Sequence, residues 1–232
     1  MDNSHTAAQL VKLQAAPDLA DQVYEQLLAA ISQGQLAPGQ RLNQEELAEQ
    51  LAVSRQPVLQ ALRVLKRDGL VLDAPGRGVQ VAPLTSELMR HVYQLRASLD
   101  GLAARLAAEQ RFQMPGALLK RGHAAAQAQD LAALIEADMQ FHQAIYEASG
   151  NPLIVASARL NWCHIRRAMG AVLESTRVRS SIWQEHVELA HAIAQGHAED
   201  AARLSSEHAE RAGEFITTQL AHAKGDRHAS EP

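Results

Sequence analysis

Aromatic residues make up only 3% of this 232-residue chain, and cysteine occurs once, at Cys163. So few rings leave Leu, Ala, Val and Ile to fill the core within a hydrophobic fraction of 47%. A single cysteine excludes an internal disulfide and fits a reducing cytoplasm, with Cys163 read as a small core residue. No apolar run approaches the ~20 residues that cross a bilayer. The start Met1-Asp2-Asn3-Ser4-His5 lacks the basic and apolar stretches of a signal peptide, so no membrane partner is expected. Excess positive charge is missing too. A formal net charge of −4 excludes nucleic-acid binding through overall charge. The basic character is local: Arg55, Arg63, Lys66, Arg67 and Arg77 fall between Ala52 and Gln80, against only Asp68 and Asp73.

The length allows two modest domains, and the patterning divides the chain accordingly. Residues 1–17 are polar and alanine-rich without periodicity, which predicts a flexible N-terminal arm. Asp18 is placed to cap a helix whose apolar positions Leu19, Val23, Leu27 and Ile31 recur every four residues. Gly34 and Pro38-Gly39 end it. Asn43 and Glu46 form a capping-box pattern for a short second helix burying Leu47, Ala48 and Leu51. Ser54 is placed to cap a third helix, which accepts Pro57 in its first turn and turns Val58, Ala61, Leu62 and Leu65 inward. Gly69 stops that helix. Leu70–Leu72 and Val79–Val81 then read as two strands around the tip Ala74-Pro75-Gly76-Arg77-Gly78. Three helices and a hairpin over 18–83 predict a winged helix-turn-helix.

From Ser86 onward the signals are helical. Leu88, Val92, Leu95, Leu99, Leu102 and Leu106 read as the inward stripe of a bundle helix. Further helices are expected near Ala117–Gln129, Leu131–Ser149, Pro152–Met169, Ser181–Gln195 and Ala198–Ala223. The expected fold class is mainly α: a winged helix-turn-helix followed by an all-α antiparallel bundle over 84–224 and a polar tail, 225–232.

Arg55, Leu59 and Arg63 are four apart and share the helix face opposite the apolar stripe, the face a recognition helix presents to the major groove. Arg55 suits a bidentate contact to guanine and Gln56 one to adenine, with Ser54 beside them. Gly76 and Arg77 at the hairpin tip would reach a neighbouring groove or phosphate. In the second part, Asp138 and His142 lie at i and i+4 on one face, with His186 and His208 on later helices. Spacing alone leaves Asp138–His142 open to reading as an ordinary hydrogen-bonded pair. Arg96 offers a planar fork of donors for a carboxylate, and equally an i,i+4 partner for Asp100.

The order and spacing of several fragments resemble the GntR family of bacterial transcription regulators, in its FadR-like subfamily with an FCD effector domain. The N-terminal fragments are Pro38-Gly39-Gln40-Arg41-Leu42-Asn43, Leu47-Ala48, the helix from Ser54-Arg55, and Gly69-Leu70-Val71. The C-terminal ones are Leu95–Asp100, Ala103–Ala107, Asp138-Met139-Gln140-Phe141-His142, Ala148–Pro152, and Glu185-His186 followed by Gly196. The resemblance implies a homodimeric repressor that binds a pseudo-palindromic double-stranded DNA operator. It also implies that Asp138, His142, His186 and His208 hold a divalent ion (Zn, Ni or Mn). A small organic carboxylate would then be the effector, with Arg96 as its clamp. A metal-ion sensor and a metal-dependent enzyme are the alternatives; no separate general base or nucleophile pattern supports the enzyme. One departure stands out. The family usually carries a basic residue where Leu59 stands, and leucine can only pack against a thymine methyl, which predicts an altered operator.

Overall fold

The computed structural model describes residues 19–173 and 181–228, with backbone alone for Ser181 and 223–228. The fourfold apolar spacing forms helix α1, Leu19–Ser32, which buries Val23, Leu27 and Ile31. Asp18 lies outside the described residues. A short strand β1, Arg41–Leu42, follows; the sequence reading did not anticipate it. Helix α2, Gln44–Gln50, starts at Asn43, whose side chain accepts from the Glu45 amide and donates to Glu46 Oε1 at 2.9 Å. The two side chains thus join each other instead of making a reciprocal capping box. Helix α3, Arg55–Arg67, buries Val58, Ala61, Leu62 and Leu65. Ser54 stands at its N-cap, but its side chain makes no capping bond.

Strands β2, Val71–Asp73, and β3, Val79–Val81, pair antiparallel with Leu72 opposite Gln80. β1 adds to the free edge of β3, giving the order β1-β3-β2. Gly76 and Gly78 hold φ of +87° and +94° at the hairpin tip, a conformation that disfavours any Cβ.

The remaining helices are α4 (Ser86–Glu109), α5 (Gly116–Ala128), α6 (Leu131–Ala148), α7 (Pro152–Leu173), α8 (Ser181–Gln195) and α9 (Ala198–His228). Thr85 caps α4 by accepting from the Leu88 amide, and Asp130 caps α6 through the Ala133 amide. α7 runs four residues beyond Met169. α9 extends into the 225–232 stretch; residues 229–232 lie outside the described residues. The core of this part joins Met89, Ala103, Ala104, Ala107, Phe141, Ile145, Ile165, Trp183 and Ile193.

The inward face of α4 differs from the leucine stripe. Met89, Val92, Tyr93, Arg96, Ala97, Asp100, Ala103, Ala104 and Ala107 are buried, while Leu95 and Leu102 are 50% and 46% exposed. Small side chains let α9 approach closely, and a buried ion pair takes the remaining inward positions. Leu95 and Leu102 are displaced to the outer side, while Leu88 and Leu106 pack part-buried against the core.

The winged-helix core gathers Val23, Leu27, Ile31, Leu47, Val58, Leu62, Leu65 and Val81, and it includes Cys163 from α7. Cys163 is therefore a core residue, of the opposite part of the chain. Leu160 packs beside it, and Arg159 pairs with Glu25 of α1.

Candidate nucleic-acid interface and candidate metal centre

Arg55, Gln56 and Arg63 are exposed on the outer face of α3, and Leu59 is half-buried between them. Arg55 Nη2 lies 2.7 Å from Glu45 Oε1 of α2, with both side chains largely exposed. An exposed pair contributes at most about 1 kcal/mol, so it can exchange for a contact to DNA. Lys66 is tied to Asp73 of β2 at 2.7 Å, and Arg67 to Asp68 at 3.2 Å. Arg63 and Arg77 have no ion-pair partner among the described residues, which leaves one free cation on the helix and one on the wing. Gly76 and Arg77 are both exposed at the tip. Arg41 of β1, absent from the sequence reading as a site residue, donates through Nη2 to the Pro75 carbonyl and braces this tip. Its register opposite Gln80 could only be seen once β1 had paired.

Within the bundle, Asp138, His142, His186 and His208 converge. All four are buried, and one ligand atom from each lies within 4.8 Å of every other. α6 contributes the first two, α8 the third and α9 the fourth. The surroundings of each imidazole fix which nitrogen faces inward. His186 Nδ1 lies 3.1 Å from the Ile182 carbonyl, which can only accept, so Nδ1 carries the proton. His208 Nδ1 lies 2.8 Å from Glu185 Oε2, with the same consequence. His142 Nδ1 is 3.4 Å from Asp100 Oδ2. All three rings therefore turn an Nε2 lone pair inward.

At His186 that lone pair meets Asp138 Oδ1 at 2.9 Å, and Nε2 has no aligned hydrogen-bond partner. Two acceptors at that distance repel unless a proton or cation lies between them. A divalent ion fits this donor set: one carboxylate and three neutral imidazoles suit a borderline metal. The protonation states agree. Burial pushes His142 well below the ordinary histidine range, with the Arg96 charge adding to it. Burial likewise lowers His208 to about 4, against the opposing bond to Glu185. Burial alone would raise Asp138, but its hydrogen-bond contact with His186, with the Arg96 charge behind it, outweighs burial and holds the carboxyl below the usual range.

Arg96 is 3% exposed and sits at the same place. Its Nε donates to Asp100 Oδ2 at 3.0 Å, and its Nη2 lies 2.8 Å from His142 Nε2. The Asp100 pairing expected as one alternative exists, in a buried setting instead of a solvated one. The guanidinium also stacks over the Trp162 ring, 4.5 Å from its centroid.

Residues 91–211 match the FCD domain family, and residues 19–81 match the bacterial regulatory proteins of the gntR family. The chain belongs to the GntR family. It is 29% identical to NanR of Klebsiella aerogenes, named as an HTH-type transcriptional repressor, over 202 residues, 77% of this chain and 78% of that protein. Identity to the HTH-type regulator YdhC of Bacillus subtilis is 36% over 85 residues, spanning 37% of this chain and 38% of YdhC. The structure of Escherichia coli McbR/YncC shares the fold, with a TM-score of 0.74 and 23% identity over 89% of this chain and 99% of that one. This GntR protein is a transcription regulator and not an enzyme. No helix among its described residues is long and apolar enough to cross a membrane.

Several supporting contacts of this GntR chain escaped the sequence reading. Asp100 joins Arg96, His142 and Tyr146, and Trp162 Nε1 donates to the Tyr146 hydroxyl at 3.0 Å. Glu185 accepts from His208 and from Arg211 Nη2 at 2.9 Å. The bond from His208, followed by that from Arg211, holds the Glu185 carboxyl down at about 2 against its partial burial. Tyr146 lies one turn after His142, the only sequence signal that could have singled it out.

Proposed function

We propose that this GntR regulator is a ligand-responsive repressor acting in the cytoplasm. A winged-helix unit (18–83) binds a pseudo-palindromic operator, and a helical unit (84–224) supplies effector binding and dimerisation. Arg55, Gln56, Leu59 and Arg63 enter the major groove, with Ser54 at the helix start and Gly76 and Arg77 at the wing. The free cations Arg63 and Arg77 support this arrangement. Asp138, His142, His186 and His208 hold a divalent ion: zinc, nickel or manganese. When bound, that ion supplies a Lewis-acidic centre for the carboxylate of a small organic acid. The observation that carries this reading is the convergence of three buried imidazoles on buried Asp138, with His186 and His208 each held through Nδ1.

Arg96 donates to the same His142 lone pair that a cation would use, so the two compete for it. A guanidinium released from His142 keeps its Asp100 bond and turns a second edge toward a carboxylate. The exposed Leu95 and Leu102 of α4 support a second copy of the chain as dimer partner, since a twofold operator calls for a twofold protein.

A thermal-shift screen of small carboxylic acids, with and without chelator, tests the effector reading. Stabilisation by a bound acid follows mass action. The expected result is an acid that raises Tm in metal-loaded protein and loses its effect after chelation. A screen in which no acid loses its effect on chelation would overturn the metal-centred site.

A further inference from the structure

A cavity of about 680 Å³ lies where the winged helix meets the bundle, away from the histidine cluster. The end of α1 (Ile31), the connecting segment (Leu84), the first turns of α6 (Ile135), and Arg166, Arg167 and Gly170 of α7 all line it. Among the described residues, none that lines it is acidic. Arg166 is matched by Glu136, 3.5 Å away at the outer edge. Arg167 is not matched. It is 4% exposed, and Nη2 donates to the Ala82 carbonyl, while Nε and Nη1 have no partner among the described residues. An uncompensated buried charge is strongly destabilising, and burial depresses this guanidinium below its ordinary pKa. His164, one turn earlier, offers no counter-charge. Burial and then the Arg167 charge hold it near 4, so it is neutral at pH 7.

Gly170 adds a second observation. It sits on α7 against the cavity, and a Cβ there would meet nothing within 4 Å. Packing therefore does not require glycine, although glycine costs helix stability. What its absent side chain preserves is space.

We infer that this cavity is a second ligand site, for a small organic anion whose carboxylate or phosphate pairs with Arg167 and whose apolar body lies against Ile31, Leu84 and Ile135. Such a ligand would touch α1 of the DNA-binding unit and α6 and α7 of the bundle together. It would bias their relative placement without contacting the histidine cluster.

Calorimetry on the full chain, stripped of metal by chelator, tests the site with hexanoate and with inorganic phosphate. Hexanoate is expected to bind saturably, and phosphate, lacking the apolar body, at least threefold more weakly. Arg167→Met should weaken hexanoate at least tenfold. Gly170→Leu, which intrudes on the cavity beside Arg167 and leaves the guanidinium in place, should weaken binding at least tenfold with an unchanged circular dichroism spectrum. It decides the matter if Arg167→Met does not fold. His186→Ala should bind hexanoate like wild type, which separates this site from the histidine cluster. No saturable hexanoate binding to wild type, undiminished binding in folded Arg167→Met or Gly170→Leu, or phosphate binding tighter than hexanoate would overturn the inference.

Discussion

Single residues decide how far the histidine cluster is prepared for a cation. Glu185 holds His208 through Nδ1, so replacing it weakens the ring's orientation without removing a ligand. Glu185→Gln is expected to lower metal affinity about 10–100-fold, the usual cost of losing an outer partner, measured by competition with a chromogenic chelator. Affinity equal to wild type would show that His208 needs no such support. At the DNA face, Leu59→Arg should alter base preference at a single position of each half-site in a binding selection, leaving the other positions alone. His164 contributes to an acid response, beside the similarly lowered His142 and His208. It titrates near 4 in the folded chain and near its usual 6.5 once unfolded. As pH falls from 6.5 toward 4, the unfolded chain takes up a proton that the folded chain refuses, and stability drops. Urea titrations of His164→Leu should show a flatter pH dependence across that window. At this scale the sequence was readable where chemistry is local. Asp138 and His142 are one helical turn apart. Asp100 was read only as an alternative partner for Arg96, because its contacts with His142 and Tyr146 bridge 42 and 46 positions and depend on how α4 meets α6.

Elements show why periodicity identified helices better than it identified their faces. In α3 the apolar stripe and the buried face coincide, because one small sheet and two helices pack against it. In α4 they separate, since alanines and the Arg96–Asp100 pair face inward while Leu95 and Leu102 face out. A hydrophobic period cannot distinguish a face turned to the chain's own core from one turned to another molecule. β1 was missed for a related reason: two residues carry no period, and only pairing with β3 defines them as a strand. Close approach between elements is equally silent in sequence. Gly122 of α5 lies so near Trp183 of α8 that a Cβ would fall 1.8 Å from Cζ2. Trp183 in turn stacks on His186 with ring centroids 4.6 Å apart. Gly122→Ala is therefore expected to destabilise by about 1–3 kcal/mol through overpacking, seen as a lower denaturant midpoint, and to weaken metal binding by displacing the indole that backs His186. A midpoint equal to wild type would mean that α5 and α8 can slide apart freely.

At the scale of the whole molecule, the outer leucines of α4 make assembly testable. Leu102→Glu places a charge on the face proposed to meet a second copy. It should convert the dimer to monomer in light scattering and cost operator affinity, while the circular dichroism spectrum stays unchanged. A dimer of unaltered affinity would move the interface elsewhere. The division into a winged helix and a bundle followed from punctuation and helix count. The way the halves join did not, because it depends on four side chains of one bundle helix, Arg159, Leu160, Cys163 and Arg167. Trp162 and Cys163 are neighbours in α7, yet Trp162 belongs to the bundle core beside His142 and Cys163 to the core of the DNA reader. The consequence is for modularity. A chimera that transplants only 18–83 onto another member of the family would leave behind the side chains that complete its interior. A graft that also carries Arg159, Leu160, Cys163 and Arg167 would keep the reader's packing, its Glu25 partner and its hold on Ala82, and so move a working half instead of a fragment.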